Sequence, residues 1–341
     1  RREGAIAAIV SEPFYTVKSQ MEGFTASSER IKSKEDAEKL AADCKEVFAV
    51  VAKVERKNRK EKPPLLYDLT TLQREANKIM GYTAQQTLDY TQSLYEKKMV
   101  TYPRTDSRYL TEDMAAMIPD LVQKTAKKFS FSDETVPVRT GQVINNKKVT
   151  DHHAIIPTKT AAETDLSALP TGERAVLELI ARRLVCAVGI PCESDETAVE
   201  LSCAGAVFKA KGSIVTEPGW KAFISGAESG KEDKEEDASP IPNIQNGMEL
   251  TVREAVCKEG KTVPPKHYTE ATLLQAMENA GAEEMPEDAE RKGLGTPATR
   301  AGIIEKLVRT GFLERTGNKK TKYLIPTQKG TALVTILPEQ I

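Results

Sequence analysis

The chain has 341 residues, 29% of them charged and 39% hydrophobic, with 49 basic and 50 acidic side chains. That length excludes a small staple-dependent scaffold and suggests two or three domains. No run approaches the ~18 apolar residues of a spanning helix, and five scattered cysteines without a C-x-x-C pair encode neither a disulfide framework nor a zinc ribbon; a reducing cytoplasm and no membrane partner are expected. The near-neutral total hides a net +3 over 1–64, +1 over 65–189, −6 over 190–262 and +1 over 263–341, so any nucleic-acid footprint must be local.

The sequence starts at Arg1 rather than Met and reads there like the inside of an element, so a piece of a larger protein is expected. Phe14 to Lys18 reads as a strand. Ser33 caps a helix with Asp36 at its third position and Ala37, Leu40, Ala41, Cys44 and Val47 on one face. The apolar run 48–54 reads as a strand that ends in the basic stretch 56–60, which is taken as a solvated strand end. Pro63-Pro64 closes this module, since neither residue donates a backbone bond.

From Leu69 to about Val188 the pattern is mainly helical. A Thr83/Gln86 capping box opens one helix, Thr111 caps a second with Met114, Met117, Ile118 and Leu121 on one face, and a third begins near Thr171. Strand-like patterning returns over 196–226 and 248–257, separated by the charged tract 228–237, which reads as a solvated loop. After Pro264-Pro265, Thr269 caps a helix. Thr296-Pro297 opens another, carrying Ile303, Ile304, Leu307 and Val308 and stopped by Gly311. A hairpin with the basic tip 318–322 follows, and helix, helix, basic hairpin is the grammar of a winged helix.

The densest chemistry lies in 100–108, where Tyr102, Arg104, Thr105, Asp106, Ser107 and Arg108 fall within seven residues. A phenol, whose ordinary pKa is about 10, needs neighbouring positive charge to act as a nucleophile toward phosphorus, and Arg104 and Arg108 can supply it. Pro103 excludes a continuous helix, which puts Tyr102 at a strand end. A polar turn around a packed tyrosine is the alternative on composition alone.

The run Tyr95 to Ser107 resembles the active-site tyrosine motif of type IA DNA topoisomerases, nearest their bacterial topoisomerase III branch. Pro64 to Gln73 is similar to the family's P-x-L-x-D-L-T-x-L-Q lead-in, His152 to Thr158 to its H-x-A-I-x-P-T element, and Gly293 to Thr299 to its G-x-G-x-P-[SA]-T element. The resemblance implies that Tyr102 attacks one DNA strand to form a 5′-phosphotyrosine, conserving the phosphodiester energy so that no ATP is needed. It further implies that Arg104 stabilises the scissile phosphate, that His152 joins the phosphate network, that Thr299 sets a hydroxyl on the strand and that Gln92 lines its path. Arg108, Thr105 and Ser107 are carried with them as phosphate-binding candidates, all of them suited to charge that develops in a transition state.

By the same resemblance the fold is α+β, a fragment of a multi-lobed torus. Residues 1–64 and 190–262 would form a β-rich arch, 65–189 a helical lobe carrying the tyrosine, and 263–341 a winged-helix-like lobe. The lobe holding the cleaved end would swing away to pass a second strand. The family's Mg2+ is held by an N-terminal toprim domain whose Asp-x-Asp-x-x-Glu set is absent here, so no metal site is expected in this chain, and binding of single-stranded DNA without completed catalysis follows. A helicase partner of the full-length enzyme and a nucleoid-associated bacterial location are further implications. Thr296 stands where the topoisomerase I branch has an arginine, and its role stays open. The rival reading is a non-catalytic winged-helix regulator that reads duplex DNA through the 318–322 tip; a phosphotransferase lacks any glycine-rich phosphate cradle. His267 is read as a capping or surface residue, Trp220 and the cysteines as packing residues.

Overall fold

A computed structural model describes residues 2–224, 239–281 and 293–337, which form two compact units; the charged tract 228–237 lies outside them. Unit one comprises residues 1–61, 191–219 and the described part of 231–266. It contains α1 (Arg2–Ala8), β1 (Pro13–Gln20), β2 (Thr25–Ser28), α2 (Lys34–Asp43), β3 (Phe48–Glu61), β4 (Cys192–Cys203), β5 (Ala206–Glu217), β6 (Glu249–Thr251) and β7 (Glu254–Lys261). The strands make one antiparallel sheet of order β6-β3-β4-β5-β2-β1-β7. Strands from before residue 62 and after residue 190 are therefore interleaved in it, and the stretch between is inserted into the unit's sequence.

Ser33 caps α2 by accepting from the Asp36 N–H at 3.2 Å, and Ala37, Ala41 and Cys44 bury against Val17, Met21 and Phe208. Val47, expected on that face, lies past the helix end and is 44% exposed. Burial, and next to it Cys203, pushes the Cys44 thiol up to about 12, so Cys44 fills space rather than reacting.

The basic run 56–60 is the exposed end of β3, as expected, and β4 offers it an acidic partner strand. Arg59 meets Glu196 at 3.0 Å, Lys60 meets Glu193 at 2.8 Å and Asn58 donates to Asp195 at 2.9 Å. Arg56 donates to the Ile244 carbonyl at 2.8 Å. The opposite charges of the two sequence segments are thus set against each other as cross-strand pairs.

Unit two comprises residues 62–190, the described part of 220–230, and 267–341 where described. Its helical part holds α3 (Leu69–Met80), α4 (Ala84–Glu96), α5 (Ile118–Lys128), α6 (Lys159–Glu163) and α7 (Thr171–Ala187). Its C-terminal part holds β8 (Tyr268–Thr269), α8 (Glu270–Glu278), α9 (Pro297–Arg309), β9 (Leu313–Gly317), β10 (Lys322–Pro326) and α10 (Gln328–Ile336), the strands forming a small sheet of order β8-β10-β9. The expected helix after Thr111 is split: a 3-10 segment, Glu112–Met117, precedes α5, which restarts with Pro119 in its first turn. The tighter turn rotates Met117 outward, to 43% exposure, while Ile118 and Leu121 stay buried. Ile303 is likewise 41% exposed, because α9 buries a narrower stripe of Arg300, Ala301 and Ile304. Trp220 sits half-buried over Gly189, and His267 lies edge-on to Tyr323. Among the described residues no helix is long and apolar enough to cross a membrane.

The two parts of unit two exchange helix ends. The Glu270 carboxylate at the start of α8 accepts from the Ala84 N–H at the start of α4 at 2.5 Å, and the Asn77 side-chain oxygen near the end of α3 accepts from the Ala271 N–H at 3.1 Å. Glu270 is 3% exposed and is also gripped by Arg315. Around this exchange Ala84 packs with Leu274, Ala301, Ile304 and Leu324. The tip of the β9–β10 hairpin rests on Gly81, the left-handed C-cap of α3 (φ 72°). A Cβ there would lie 2.6 Å from the Lys319 carbonyl oxygen. Gly81→Ala is therefore expected to lower unfolding free energy by more than the ~1 kcal/mol of an ordinary left-handed alanine, read as an earlier urea midpoint; an unchanged midpoint would contradict the packing of the tip on α3.

Candidate active site

Three of the four sequence motifs are stitched together through their backbones. The Ile155 N–H donates to the Tyr67 carbonyl at 2.8 Å, tying the 152–158 segment to the 64–73 lead-in. On its other side, Thr101 N–H donates to the Ile156 carbonyl at 3.0 Å and Thr158 N–H to that of Met99 at 2.9 Å. The Leu69 N–H, at the start of α3, closes the set on the Thr105 carbonyl at 3.1 Å. The segment 101–109 has no regular helix or strand of its own, so these bonds satisfy groups that would otherwise be orphaned.

Within that segment burial alternates, as period two requires of an extended chain. Pro103, Thr105 and Ser107 point inward, while Arg104 and Asp106 are exposed. The buried hydroxyls are engaged internally: Thr105 donates to the His152 carbonyl at 2.8 Å, and Ser107 donates to the Lys148 carbonyl at 2.7 Å. They fix the 148–152 loop beside the tyrosine. Arg108 is also turned inward, donating to the Leu66 carbonyl at 2.9 Å, and burial lowers its pKa.

Tyr102 follows the isolated bridge of Val100 with Pro157 and is half-buried. Its ring lies against His152, centroids 4.2 Å apart, and meets Tyr95 edge-on at 5.4 Å. Tyr95 comes from the last turn of α4, where Lys97 forms the C-cap and Lys98, at φ 60°, turns the chain back toward Val100. Gln92 lies one turn earlier and donates to Glu96 at 3.1 Å, away from the cleft described next.

Beside His152 opens a cleft of about 170 Å³ lined by Arg104, Thr105, Asp106, Thr150, Asp151, His152 and the first residues of α9, Thr296, Pro297 and Ala298. The positive end of the 13-residue α9 thus faces a cleft that also holds the Arg104 guanidinium, with the Asp106 and Asp151 carboxylates at its wall. Thr299 receives the Thr296 N–H at 2.8 Å in a reciprocal cap, so its hydroxyl orders the helix start. The glycine motif has steric reasons. Gly293 (φ 62°) lies directly on the Met277 and Glu278 carbonyls, and Gly295 (φ 68°) sits over Thr299 and Arg300.

Behind the tyrosine segment is a buried charged layer. Asp68 caps α3, accepting from the Thr71 N–H at 2.7 Å. Burial holds its carboxyl above the ordinary range, against the pull of Thr71 and Arg108. Burial and Asp68 likewise raise Glu278. Arg183 lies 4.1 Å over the Tyr67 ring and pairs with Glu75, and burial drives the Tyr67 phenol well up.

Of the sequence candidates, the structure gathers Arg104, Thr105 and His152 at the cleft, with the Tyr102 ring tilted against His152; Thr299 follows the lining residues of α9, Ser107 and Arg108 point inward, and Gln92 lies on α4. Tyr95, Thr150 and Asp151 escaped the sequence reading. Tyr95 stood seven residues before Tyr102, and only the tight turn at Lys97-Lys98 brings the two rings together.

A DNA topoisomerase family model matches residues 1–341. The chain is 36% identical to DNA topoisomerase 3 of Bacillus subtilis over 362 residues, covering 100% of this chain and 49% of that protein. It is 37% identical to DNA topoisomerase 3 of Vibrio cholerae over 306 residues, covering 86% and 45%. The chain thus spans about half the length of these curated relatives. The full-length topoisomerase I structure from Thermotoga maritima shares the fold, with a TM-score of 0.75 and 21% identity over 98% of this chain and 52% of that one.

The Asp68 environment makes a pH prediction. A carboxyl whose folded pKa is raised stabilises the fold at low pH, and that contribution is lost as pH rises from the unfolded value of about 4 through the folded one. Asp68→Asn keeps a capping oxygen and removes the ionisation. Its urea midpoint is expected to gain on the parent as pH increases through that window, and two curves that stay parallel would sink the assignment.

Proposed function

The chain belongs to the DNA topoisomerase family, and from that premise we propose that it forms the tyrosine-bearing, strand-binding portion of a type IA enzyme of the topoisomerase III kind. The observation that carries this reading is Tyr102 in ring contact with His152, which lines a cleft together with Arg104 and the first residues of α9. A single DNA strand laid in the cleft would bring one phosphate between these groups. The Tyr102 oxygen then bonds to phosphorus as the bond to the 3′ oxygen breaks. The phenolic proton is given up and the 3′ oxygen takes one, so that religation reverses the step without ATP.

In this reading Arg104 and the positive end of the α9 dipole meet the charge that gathers on the phosphate oxygens. His152 holds the phenol in orientation by ring contact. Thr105, Ser107 and Thr299 act one step back, fixing the 148–152 loop and the helix start. Gln92 and Arg108 support the path and the segment from behind. Magnesium supplies charge neutralisation in the intact enzyme. No step here is routed through the ion, and completed cleavage is proposed to draw on metal ligands elsewhere in the whole enzyme. Residues 1–64 and 190–262 would serve as the arch, 65–189 as the tyrosine lobe and 263–341 as the lobe opposite. A helicase is the expected partner of the whole enzyme, which would act with the chromosome in the bacterial cytoplasm.

A duplex-reading regulator would need α9 and the hairpin tip free to enter a groove. Ala301 and Ile304 are buried instead against the helical part, and the tip rests on Gly81, which favours the topoisomerase reading. Titrating a labelled short single strand at two salt concentrations, with matched duplex as competitor, is expected to give salt-weakened binding that prefers the single strand. Tyr102→Phe is expected to keep that binding and to abolish any covalent strand adduct once the metal-bearing remainder is supplied. Preference for duplex, or an adduct formed by Tyr102→Phe, would refute the proposal.

A further inference from the structure

We propose that Arg300 and Thr70 form a tether between the two walls of the cleft and so set its width for a single strand; the inference rests on the strand-binding reading above. Arg300 is 2% exposed on α9, directly after the lining residues and their cap. Its Nε donates to the Leu294 carbonyl at 3.0 Å and its Nη2 to that of Gly295 at 3.3 Å. These bonds hold the glycine turn that aims the start of α9 into the cleft. Its Nη1 reaches the other way, to the Thr70 hydroxyl oxygen at 3.2 Å in the first turn of α3. Thr70 is fully buried and follows Leu69, whose N–H holds the Thr105 carbonyl. Thr105 in turn holds His152.

One guanidinium therefore joins the Thr296–Ala298 wall to the Arg104–His152 wall through a short, wholly internal route. A planar fork with several donors can bind two carbonyls on one side and a hydroxyl on the other at once, which a lysine cannot. Buried, it makes these bonds out of reach of competing water. Arg300 and Thr70 line no part of the cleft, so they are positioning residues and not phosphate ligands.

The distinction can be measured on this chain with a labelled oligo-dT strand. Thr70→Val removes the acceptor at nearly constant shape, and Thr70→Ser keeps it. The valine variant is expected to bind about twofold to tenfold more weakly, the equivalent of one net hydrogen bond. The serine variant is expected to stay within about twofold of the parent. Because no phosphate contact is lost, the slope of log affinity against log salt should be unchanged for Thr70→Val and for Arg300→Lys, whereas losing one phosphate ligand would flatten it by about 0.7. Equal affinity for the parent and Thr70→Val overturns the tether while leaving the strand site intact. A flattened slope for Arg300→Lys makes Arg300 a direct ligand and also overturns it. A parent that ignores single strands overturns the strand site, and the tether with it. Should Arg300→Lys fail to fold, the Thr70 pair still decides.

Discussion

From Thr101 to Tyr109 the chain has no helix or strand of its own, only isolated bridges at its flanks, and its inward backbone groups must be met by other parts of the molecule. That requirement organises unit two. The 152–158 segment answers from one side and the first turn of α3 from another, while the Thr105 and Ser107 hydroxyls return the favour to the 148–152 loop. An element with no hydrogen-bonding partner of its own is rigid only to the extent that its surroundings are. Tyr102 is accordingly flanked by bonds to parts of the chain more than fifty residues away in sequence, and its ring can stay half-exposed without being loose.

The supporting layer is polar where a core would ordinarily be apolar. Asp68, Arg108, Glu278, Arg183, Glu75 and Arg300 sit behind the reactive face, and burial shifts Asp68, Glu278 and Arg108 toward their neutral forms. Such groups are costly to bury and are retained only when many partners are fixed around them. Here the guanidiniums donate to backbone carbonyls: Arg108 to Leu66, Arg183 to Leu65, Arg300 to Leu294 and Gly295. Guanidiniums thus do in three places what sheet neighbours do elsewhere, aligning irregular chain by donating to it.

Local signals were legible in the sequence where local physics decides. The Ser33 and Thr83 caps, the strand at Phe14, the helix from Thr171 and the β9–β10 hairpin all rest on residues a few positions apart. What stayed hidden depended on distant partners. The basic run 56–60 is the exposed strand end its composition suggests, but the Glu193, Asp195 and Glu196 partners that β4 sets across it come from a distant segment. Met117 and Ile303 followed the apolar pattern but face solvent, since a 3-10 turn and a narrow contact stripe changed the phase. At the site, Tyr102, Arg104 and His152 could be named from motifs, yet the inward aim of Thr105 and Ser107 was written only in the alternation around Pro103, and that of Arg108, which breaks it, depends on the Leu66 carbonyl. Tyr95 and Arg300 carried no periodic signal, because each owes its position to a turn or a contact that spans separate elements.

The exchanged helix ends at Glu270–Ala84 and Asn77–Ala271 bear on inheritance. Each part of unit two leaves one of its helices short of a partner that only the other provides. A chimera that takes residues 62–190 from one relative and 267–337 from another must preserve a carboxylate on one side of the join and a side-chain carbonyl on the other, or bury two unmet amides. Recombination between relatives is thereby constrained at positions far from the reactive tyrosine, and these two stretches, though separated in the sequence by strands of another unit, are expected to travel through evolution as one piece.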